Sequence, residues 1–560
     1  MTRLDRLLPA LSWPRPDAAL LRNEALAGLT VGLMVIPQGV AYATLAGMPI
    51  VTGIYASMLP ALVAVLFSAS PRVSVGPTAL SCLLVGASLT GMAVPGSPQW
   101  IAMAGWLALL SGGLQVLLGL LRAGRLLSLV SDPVMMAFTQ AASLLIIASQ
   151  LPALLGVQHL SWSALGSPHG LSAAFGLGSL ALLMAVRRWK ATFPSVLVVM
   201  LCSAGISKWI GFTAQGGKVI GALPDRLPSL SWPAFLSGAT FADLVLPTLV
   251  ITLVSCLETA SSAKVDNERQ GTRWNRNQDL IGQGLGKFAA GISGAFPTSA
   301  SFSRSALNLY AGARTGWATI FSVVVVLLAL LTFTPVLERV PQAVLAAVVL
   351  VAVIGLVRPQ EFVRLWRVSR GEAVIALATF AITLLSAPLL YWGVIAGILM
   401  ALSHFIYHRM QPRIIEVGLH ADGSLRDRHL WNLPPVAPHV LALRMDAALD
   451  FATASTFEER VLGQSELEPG VKHVCLFAHA INRIDATGVA TLIKVADQMH
   501  ERGITLHLSG LKLPVETALQ RAGVLLLHGG VRTYRNDGEA LKMLSQVDAV
   551  PNDPAAASMV

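Results

Sequence analysis

The sequence predicts a polytopic α-helical membrane protein that ends in a smaller α/β domain. Three observations lead to this fold class. Of the 560 residues, 54% are hydrophobic and 12% are charged, whereas about a quarter of a soluble domain is charged. Apolar stretches, mostly of the ~17–24 residues that cross ~30 Å of hydrocarbon, alternate with short loops over most of the chain. Beyond His408, short strand-like and helical patterns alternate instead.

Fourteen apolar segments precede the polar end of the chain. They span residues 25–47, 53–69, 75–92, 99–121, 126–149, 171–187, 194–212, 241–263, 279–296, 300–313, 317–336, 342–357, 371–387 and 389–407. Loops after even-numbered segments are basic, as at Arg187, Arg188 and Lys190, whereas loops after odd-numbered segments carry few basic residues. Because Lys and Arg favour the cytoplasmic side, an even number of segments predicts that both termini are cytoplasmic.

Charge and cysteine content exclude several classes of function. The net charge is +10, but no basic stripe with interleaved aromatic residues indicates nucleic-acid binding, and the charge is better explained by membrane topology. The four cysteines lie far apart, so they indicate neither a disulfide framework nor a metal site. The N-terminal residues show no cleavable signal peptide. We expect no metal and no cofactor.

Two of the segments are short and interrupted. The third opens with Val73-Ser74-Val75-Gly76-Pro77-Thr78-Ala79, and the tenth opens with Pro297-Thr298-Ser299-Ala300-Ser301. Their matching positions, seven segments apart, predict two inverted repeats of seven segments. Each opening carries the proline or hydroxyl residue that commonly starts a helix. We therefore expect two half-helices whose N-termini face each other near the middle of the membrane.

Such facing helix starts are suited to binding an anion. A helix N-terminus presents unpaired N–H groups and a partial positive charge. Ser301 and Ser303 add hydroxyl donors, and Arg304 adds a fixed positive charge. The alternative is a serine-rich turn whose hydroxyl groups only cap the helix. The candidate substrate-binding residues at the two openings are Thr78, Ala79, Ala300, Ser301, Phe302, Ser303 and Arg304.

Polar residues in other segments extend the candidate site. Gln38 and Tyr42 lie one turn apart on the first segment and could line the same cavity, or form an interhelical hydrogen bond. Glu258 lies inside the eighth segment, where an ionisable side chain indicates function. It could couple transport to protons, or act as the charge partner of Arg304 or Lys287. Lys287 in the ninth segment could snorkel, pair with Glu258 or attract the anion.

The end of the chain predicts a separate domain. Residues 440–446, 471–477 and 504–509 are typical of buried strands, and residues 452–464, 487–502 and 512–523 show helical patterns. The predicted organisation is a cytoplasmic N-terminal segment (1–22), a transmembrane domain (23–410), an α/β domain (411–546) and a flexible tail (547–560).

Several spaced motifs resemble the sulfate permease (SulP) family, and the α/β domain resembles the STAS domain that anti-sigma-factor antagonists share. The resemblance extends over about residues 20–535. The motifs are Ala27-Gly28-Leu29-Thr30-Val31-Gly32, Ile36-Pro37-Gln38, Ala41-Tyr42-Ala43, Ser74-Val75-Gly76-Pro77, Gly282-Gln283-Gly284-Leu285 and Ser301-Phe302-Ser303-Arg304-Ser305-Ala306.

The resemblance implies seven plus seven inverted helices, divided into a core and a gate domain. It also implies an anion site between the third and tenth helices, partly closed by the first, and a dimer that works by an elevator-like motion. Carried over to this chain, it assigns Gln38 and Tyr42 to the first-helix part of the site, and Ser301, Ser303 and Arg304 to the tenth-helix part. Glu258 matches an acidic position that proton-linked members use.

The sequence departs from the family pattern at two places. Lys287 occupies a position where the family leads us to expect a polar, uncharged residue, which alters the charge balance near Glu258. In the STAS part, Thr487 stands where soluble antagonists carry a phosphorylated serine. A hydroxyl residue that starts a helix is the simpler interpretation of Thr487.

The expected function is secondary active anion transport, with sulfate:proton symport by alternating access as the leading hypothesis. Alternatives are a sodium-coupled bicarbonate transporter or a dicarboxylate transporter of the same fold, and a membrane anion sensor that signals through the STAS domain. The coupling ion is expected to be H⁺, with Na⁺ as the alternative, and no enzyme activity is expected. Expected partners are a small inorganic anion, membrane lipid, a second copy of the chain and a cytoplasmic protein at the STAS domain, with the inner (plasma) membrane as the location.

Overall fold

A computed structural model describes residues 8–125, 131–157, 169–189, 195–221, 227–332, 334–467, 470–523 and 530–547. The chain forms two compact units, residues 1–401 and 402–560. The tail predicted over residues 547–560 lies outside the described residues from position 548 onward.

The first unit is built from helices, and two very short strands precede the predicted half-helices. The helices are α1 (Ala18–Leu45), α2 (Ile50–Tyr55), α3 (Leu59–Phe67), α4 (Ala79–Leu89), α5 (Pro98–Leu120), α6 (Asp132–Leu155), α7 (Gly170–Trp189), α8 (Ser195–Trp209), α9 (Gly238–Gln270), α10 (Arg276–Ile292), α11 (Phe302–Tyr310), α12 (Trp317–Thr332), α13 (Thr334–Leu337), α14 (Gln342–Ile354), α15 (Pro359–Val368), α16 (Arg370–Leu385) and α17 (Tyr391–Met410). Strand β1 (Val75–Gly76) comes before α4, and strand β2 (Ser299–Ala300) comes before α11.

Each of the fourteen predicted segments contains a described helix, but several boundaries differ. Helix α1 begins seven residues before the predicted segment, where the Asp17 carboxylate accepts a hydrogen bond from Leu20 N. Helix α9 continues to Gln270 and ends at Gly271, which has a left-handed backbone conformation (φ 63°). Apolar runs mark the part of a helix that lies in hydrocarbon, whereas polar caps decide where the helix stops. The amphipathic helix α15 was not predicted.

The surface and length of these helices suit a membrane protein. Seven helical spans in the described residues are long and apolar enough to cross a membrane, and four more apolar helices are shorter. Large apolar side chains are exposed along several of them, among them Leu117, Leu182 and Leu328. Apolar surface of this extent is uncommon on a soluble protein and is suited to contact with lipid.

The helices of the first unit pack as two groups. One group contains α1 to α5 with α9 to α12, and the other contains α6, α7, α8, α14 and α16. Contacts between the groups involve α1 and α4 on one side and α6, α8 and α14 on the other. These groups correspond to the expected core and gate domains.

The packing also agrees with two repeats of seven segments. When each segment is exchanged for the one seven places away, the contact of α7 with α14 becomes the contact of α16 with α6. In the same way, the contact of α1 with α12 becomes the contact of α9 with α5. All four pairs pack against each other.

Helices α5 and α10 cross very closely in the core group. A Cβ atom added to Gly112 would lie 2.7 Å from the carbonyl oxygen of Gly284, and one added to Gly284 would lie 2.6 Å from the carbonyl oxygen of Gly112. No side chain fits between two backbones at this distance. The crossing therefore requires glycine on both helices, and it fixes the position of α10 in the core.

The second unit is an α/β domain. Its six-stranded sheet has the order β4-β3-β5-β6-β7-β8, in which β5 to β8 are parallel and β3 is antiparallel to its neighbours. The strands are β3 (Ile414–Leu419), β4 (Leu425–Asp427), β5 (Val440–Met445), β6 (His473–Phe477), β7 (Thr505–Ser509) and β8 (Val531–Tyr534), and the helices are α18 (Ala454–Leu467), α19 (Ala486–Glu501), α20 (Leu513–Arg521) and α21 (Asp537–Val547). The three predicted strands and three predicted helices are confirmed within a few residues, whereas β3, β4, β8 and α21 were missed.

A buried histidine connects the last three strands of this sheet. His507 on β7 is fully buried, and its ring nitrogens lie 2.9 Å from the Tyr534 hydroxyl and 3.2 Å from His473 Nδ1. Burial lowers the pKa of His507 to about 4, and the nearby His473 and Arg532 lower it further. At neutral pH the ring is therefore uncharged and acts as a hydrogen-bonding group of the core.

The crossing of α5 and α10 can be tested with two adjacent glycines. Gly112→Ala places a methyl group against the backbone of α10, so we expect it to lower stability by about 1–3 kcal/mol. Gly113→Ala is the matched control, because a Cβ atom at Gly113 meets nothing within 4 Å. Thermal unfolding of the purified protein in detergent, followed by size-exclusion chromatography, measures the difference. Equal unfolding midpoints for the two variants would contradict the close crossing.

Candidate functional site

The two half-helices begin side by side. Strands β1 and β2 pair in antiparallel orientation, with Val75 opposite Ala300 and Gly76 opposite Ser299. The Ser301 N–H extends this pairing by donating to the carbonyl oxygen of Ser74 over 2.9 Å. Since α4 begins three residues after β1 and α11 begins two residues after β2, the pairing holds both helix starts in one place.

Hydroxyl groups cap both half-helices. The Thr78 hydroxyl accepts from Ser81 N at 3.2 Å, and the Ser301 hydroxyl accepts from Arg304 N at 3.4 Å. Each hydroxyl group satisfies one N–H group of a first turn, whereas a helix start has about four such groups without an intrahelical partner. The capping alternative considered for Ser301 therefore describes one of its contacts, and further donors remain in each first turn.

Arg304 connects the two helix starts. It belongs to the first turn of α11, and only 1% of its surface is exposed. Its Nη1 atom donates to the carbonyl oxygen of Pro77 at 2.7 Å, and its Nε atom lies 3.4 Å from the Ser74 hydroxyl. Its Nη2 atom is buried without a hydrogen-bond partner. The guanidinium thus brings a positive charge and a free donor to the junction of the half-helices.

A glycine makes room for this guanidinium. A Cβ atom added to Gly76 would lie 3.2 Å from Arg304 Nη2, which is closer than most side chains tolerate. The Ser74-Val75-Gly76-Pro77 motif therefore has a local physical purpose. It supplies a paired extended backbone, two oxygen acceptors and the space for the arginine.

Glu258 lies at the first turn of α4. Its Oε2 atom accepts from the Thr78 hydroxyl at 3.3 Å and from the Ser81 hydroxyl at 3.2 Å. The side chain is half-buried. In the described residues, no nitrogen of Lys287 or Arg304 lies within ion-pair distance of this carboxylate. Glu258 is therefore held by hydroxyl groups rather than by a direct ion pair.

Helix α9 contacts both half-helices. Ser255, one turn before Glu258, accepts from the Ser299 hydroxyl at 3.1 Å, and Ser299 is part of β2. Ser81 and Ser255 were missed by sequence reasoning. The spacing of Ser255 and Glu258, three residues apart on one helix face, is the signal that could have found Ser255.

Helix α1 provides Gln38 and Tyr42 as predicted polar residues of the first segment. Both are buried, with 5% and 6% of their surface exposed. The Tyr42 side chain lies within electrostatic range of Arg304 and Glu258. The Gln38 Oε1 atom is buried without a hydrogen-bond partner, so the amide has acceptor capacity that the described residues do not use.

The remaining predicted residues differ in exposure. Ala79 and Ala300 are buried and contribute backbone rather than chemistry. Ser303 is exposed and its hydroxyl lies 3.4 Å from the Ser301 hydroxyl, while Phe302 has 56% of its surface exposed. The start of α11 is thus the open side of the site. The structure brings Thr78, Glu258, Ser301, Ser303 and Arg304 to one junction.

Two half-helices that meet inside a polytopic helical bundle are characteristic of secondary transporters. The sequence defines the family. A model of the sulfate permease family matches residues 21–379, and a STAS domain model matches residues 434–540. The chain belongs to the sulfate permease family and carries a C-terminal STAS domain.

Relatives of known name cover nearly the whole chain. A protein named "probable sulfate transporter" from Mycobacterium tuberculosis is 29% identical over 517 residues, which are 90% of this chain and 92% of that protein. A "sodium-independent sulfate anion transporter" from Bos taurus is 29% identical over 588 residues, which are 97% of this chain and 92% of that protein.

The fold is similar to that of a solved transporter. The structure of the murine Solute Carrier 26 family member A9 anion transporter in the inward-facing state gives a TM-score of 0.87 at 19% sequence identity, and the match covers 97% of this chain and 94% of that one. At this identity the likeness shows a common fold.

Proposed function

We propose that this protein is a secondary active transporter that carries sulfate together with a proton, by alternating access with an elevator-like motion of the core helix group. The observation that carries the proposal is the position of Arg304. Its guanidinium connects the starts of α4 and α11, and its Nη2 atom has no partner in the described residues. A bound anion at this junction would receive that donor.

An anion suits this junction for electrostatic reasons. Each half-helix directs the positive end of its dipole to the junction, and the guanidinium adds a full positive charge. These charges act more strongly in a buried site than in water, because the effective dielectric constant is lower. An oxyanion loses its hydration on entry, and the N–H and hydroxyl groups of both first turns can replace it.

Two arguments favour sulfate among oxyanions. Tetrahedral sulfate has four acceptor oxygens, which suits donors that converge from two helix starts and a guanidinium. The relatives from Mycobacterium tuberculosis and Bos taurus are both named as sulfate transporters. The second of these names also describes sodium-independent transport, which favours H⁺ over Na⁺ as the coupling ion here.

Glu258 is the residue that we assign to proton coupling. Its carboxylate is held at the first turn of α4 by the hydroxyl groups of Thr78 and Ser81. A negative carboxylate at this position repels an anion bound to the same helix start, and protonation removes the repulsion. Anion binding therefore favours proton binding, and by thermodynamic linkage proton binding favours the anion equally.

The proposal includes the setting of the transporter. We place it in the inner (plasma) membrane with both termini in the cytoplasm, as the basic loops favour. We further propose that it forms a homodimer, and that a cytoplasmic protein binds the STAS domain.

Transport in proteoliposomes tests the proposed substrate and coupling ion. We expect purified protein to take up labelled sulfate when the outside is more acidic than the inside, and to be insensitive to a sodium gradient. Bicarbonate and succinate are measured in parallel. Uptake of either of these without uptake of sulfate would refute the assignment of sulfate. Binding of sulfate without any flux would instead favour an anion sensor.

Replacing Arg304 tests the site. Arg304→Ala removes a buried charge and its free donor, so we expect the sulfate dissociation constant to rise about tenfold to hundredfold. Arg314→Ala is the matched control, because Arg314 is exposed at the other end of the same region. Binding of labelled sulfate to detergent-purified protein measures both. An Arg304→Ala variant that binds as tightly as the wild type would remove this residue from the site.

Replacing Glu258 tests the coupling. Glu258→Gln keeps the hydrogen-bonding shape but cannot bind and release a proton, so we expect loss of pH-driven accumulation while sulfate–sulfate exchange continues. Glu268→Gln on the same helix is the control, because Glu268 is exposed and forms only a long i,i+4 pair with Lys264. If accumulation persists in Glu258→Gln, the proton is carried elsewhere.

A further inference from the structure

A second buried cation lies behind the anion site. In the described residues, buried cationic donors without a hydrogen-bond partner occur at two places, Arg304 Nη2 and Lys287 Nζ. Lys287 is completely buried, with 0% of its surface exposed. An ammonium group that is buried without a partner is strongly unfavourable. A protein that retains one has a use for the charge.

The packing of α10 explains why Lys287 cannot reach water. The Cβ atom of Lys287 is 3.0 Å from the position of a Cβ atom added to Gly112 on α5. On the adjacent face of α10, Gly286 packs against Ala64 and Pro60 of α3. The side chain is enclosed between helices, which excludes the alternative that Lys287 snorkels to the surface.

The neighbours of the Lys287 ammonium place it next to the proposed site. The titratable groups within its electrostatic range are Cys256 and Glu258, both on α9. Glu258 in turn accepts hydrogen bonds from the first turn of α4. Helix α10 also packs against β2, the strand that leads into α11. The ammonium therefore lies behind both half-helices, on the side opposite the open start of α11.

Lys287 and Glu258 do not form a direct ion pair. In the described residues, no Lys287 nitrogen lies within 4.0 Å of a carboxylate oxygen, and the Lys287 Nζ atom has no hydrogen-bond partner at all. Its charge is therefore not cancelled by contact. It contributes to the potential of the whole junction.

We propose that Lys287 is a fixed counter-charge that makes this site favour divalent over monovalent anions. The inference rests on the proposed function and deepens it, because it assigns the charge selectivity to a residue that does not touch the anion. With Glu258 protonated, Arg304 and Lys287 together carry two positive charges, which match the two negative charges of sulfate. With a neutral residue at position 287, the junction retains one.

The physical consequence can be stated without knowing any distance. The Coulomb energy between a fixed charge and an anion is proportional to the charge of the anion. Removing the Lys287 charge therefore costs a divalent anion twice the free energy that it costs a monovalent anion at the same place. If the affinity for a monovalent anion falls f-fold, the affinity for sulfate falls f²-fold. A structural disturbance has no reason to follow this relation.

The experiment compares sulfate with nitrate at constant ionic strength and pH. Dissociation constants come from the thermal stabilisation of the purified full-length protein as each anion is titrated. For Lys287→Gln we expect nitrate affinity to fall about 3-fold to 10-fold and sulfate affinity to fall about 10-fold to 100-fold. Lys287→Arg keeps the charge, so the ratio of the two affinities should stay within about threefold of the wild type.

Two further variants protect the test. Lys287→Met is uncharged and suits a buried position, so it should follow the same relation if Lys287→Gln fails to fold. Repeating the comparison in a Glu258→Gln background excludes compensation by a proton on that carboxyl group. The f-to-f² relation in these variants would support the inference.

The outcomes separate this inference from the proposed function. If the wild-type protein binds sulfate, and neutral variants at position 287 weaken sulfate and nitrate by the same factor or not at all, the counter-charge role is wrong and the proposed function stands. If the wild-type protein binds nitrate but no sulfate, the proposed function itself fails, and this inference fails with it.

Discussion

The short antiparallel pairing of β1 with β2 is the interaction on which the rest of the site depends. Only two residues of each strand pair, but they lie directly before α4 and α11. Extended backbone at these positions ends any possibility of a continuous membrane helix, and the pairing satisfies backbone groups that lipid could not. The pairing also determines which residues meet. Arg304 can reach Pro77 and Ser74 only because the two strands hold their helix starts together.

Surrounding elements hold this junction rigidly. The loop before β1 is fixed by Asp279 at the start of α10, which accepts hydrogen bonds from the Ser68 and Ser70 hydroxyl groups, the Ser70 N–H and the Trp274 indole. Helix α9 reaches both half-helices, through Ser255 and through Glu258. A site that must move as one body needs such connections, because the geometry of its donors has to survive the motion.

The buried charges of the first unit divide into two kinds. Glu24 accepts three backbone N–H groups at the start of α12, and Asp279 has four donors, so both are fully satisfied and structural. Arg304 and Lys287 keep cationic donors that are buried without a partner. Since the first kind already stabilises the fold, the second kind is where a ligand gains most by binding. This contrast separates functional from structural charges without reference to any relative.

Much of the architecture could be predicted from local patterns. Apolar length gives the fourteen segments, and the interruptions at Gly76-Pro77 and Pro297 mark the half-helices. Strands β3, β4 and β8 were missed because they are short and partly exposed, so they lack the apolar runs that identify β5 to β7. Helix α15 was missed because it is amphipathic and lies in a connection between apolar segments.

The sequence by itself determined the fold class, the position of the half-helices and the residues that carry unusual charge, because hydrophobicity and helix-breaking residues act locally along the chain. Only the tertiary structure decided which polar groups share one place. Arg304 and Ser74 are separated by 230 residues, and their contact follows from strand pairing that no local pattern encodes. The burial of Lys287 behind the same junction likewise depends on how α10 packs against α5 and α3.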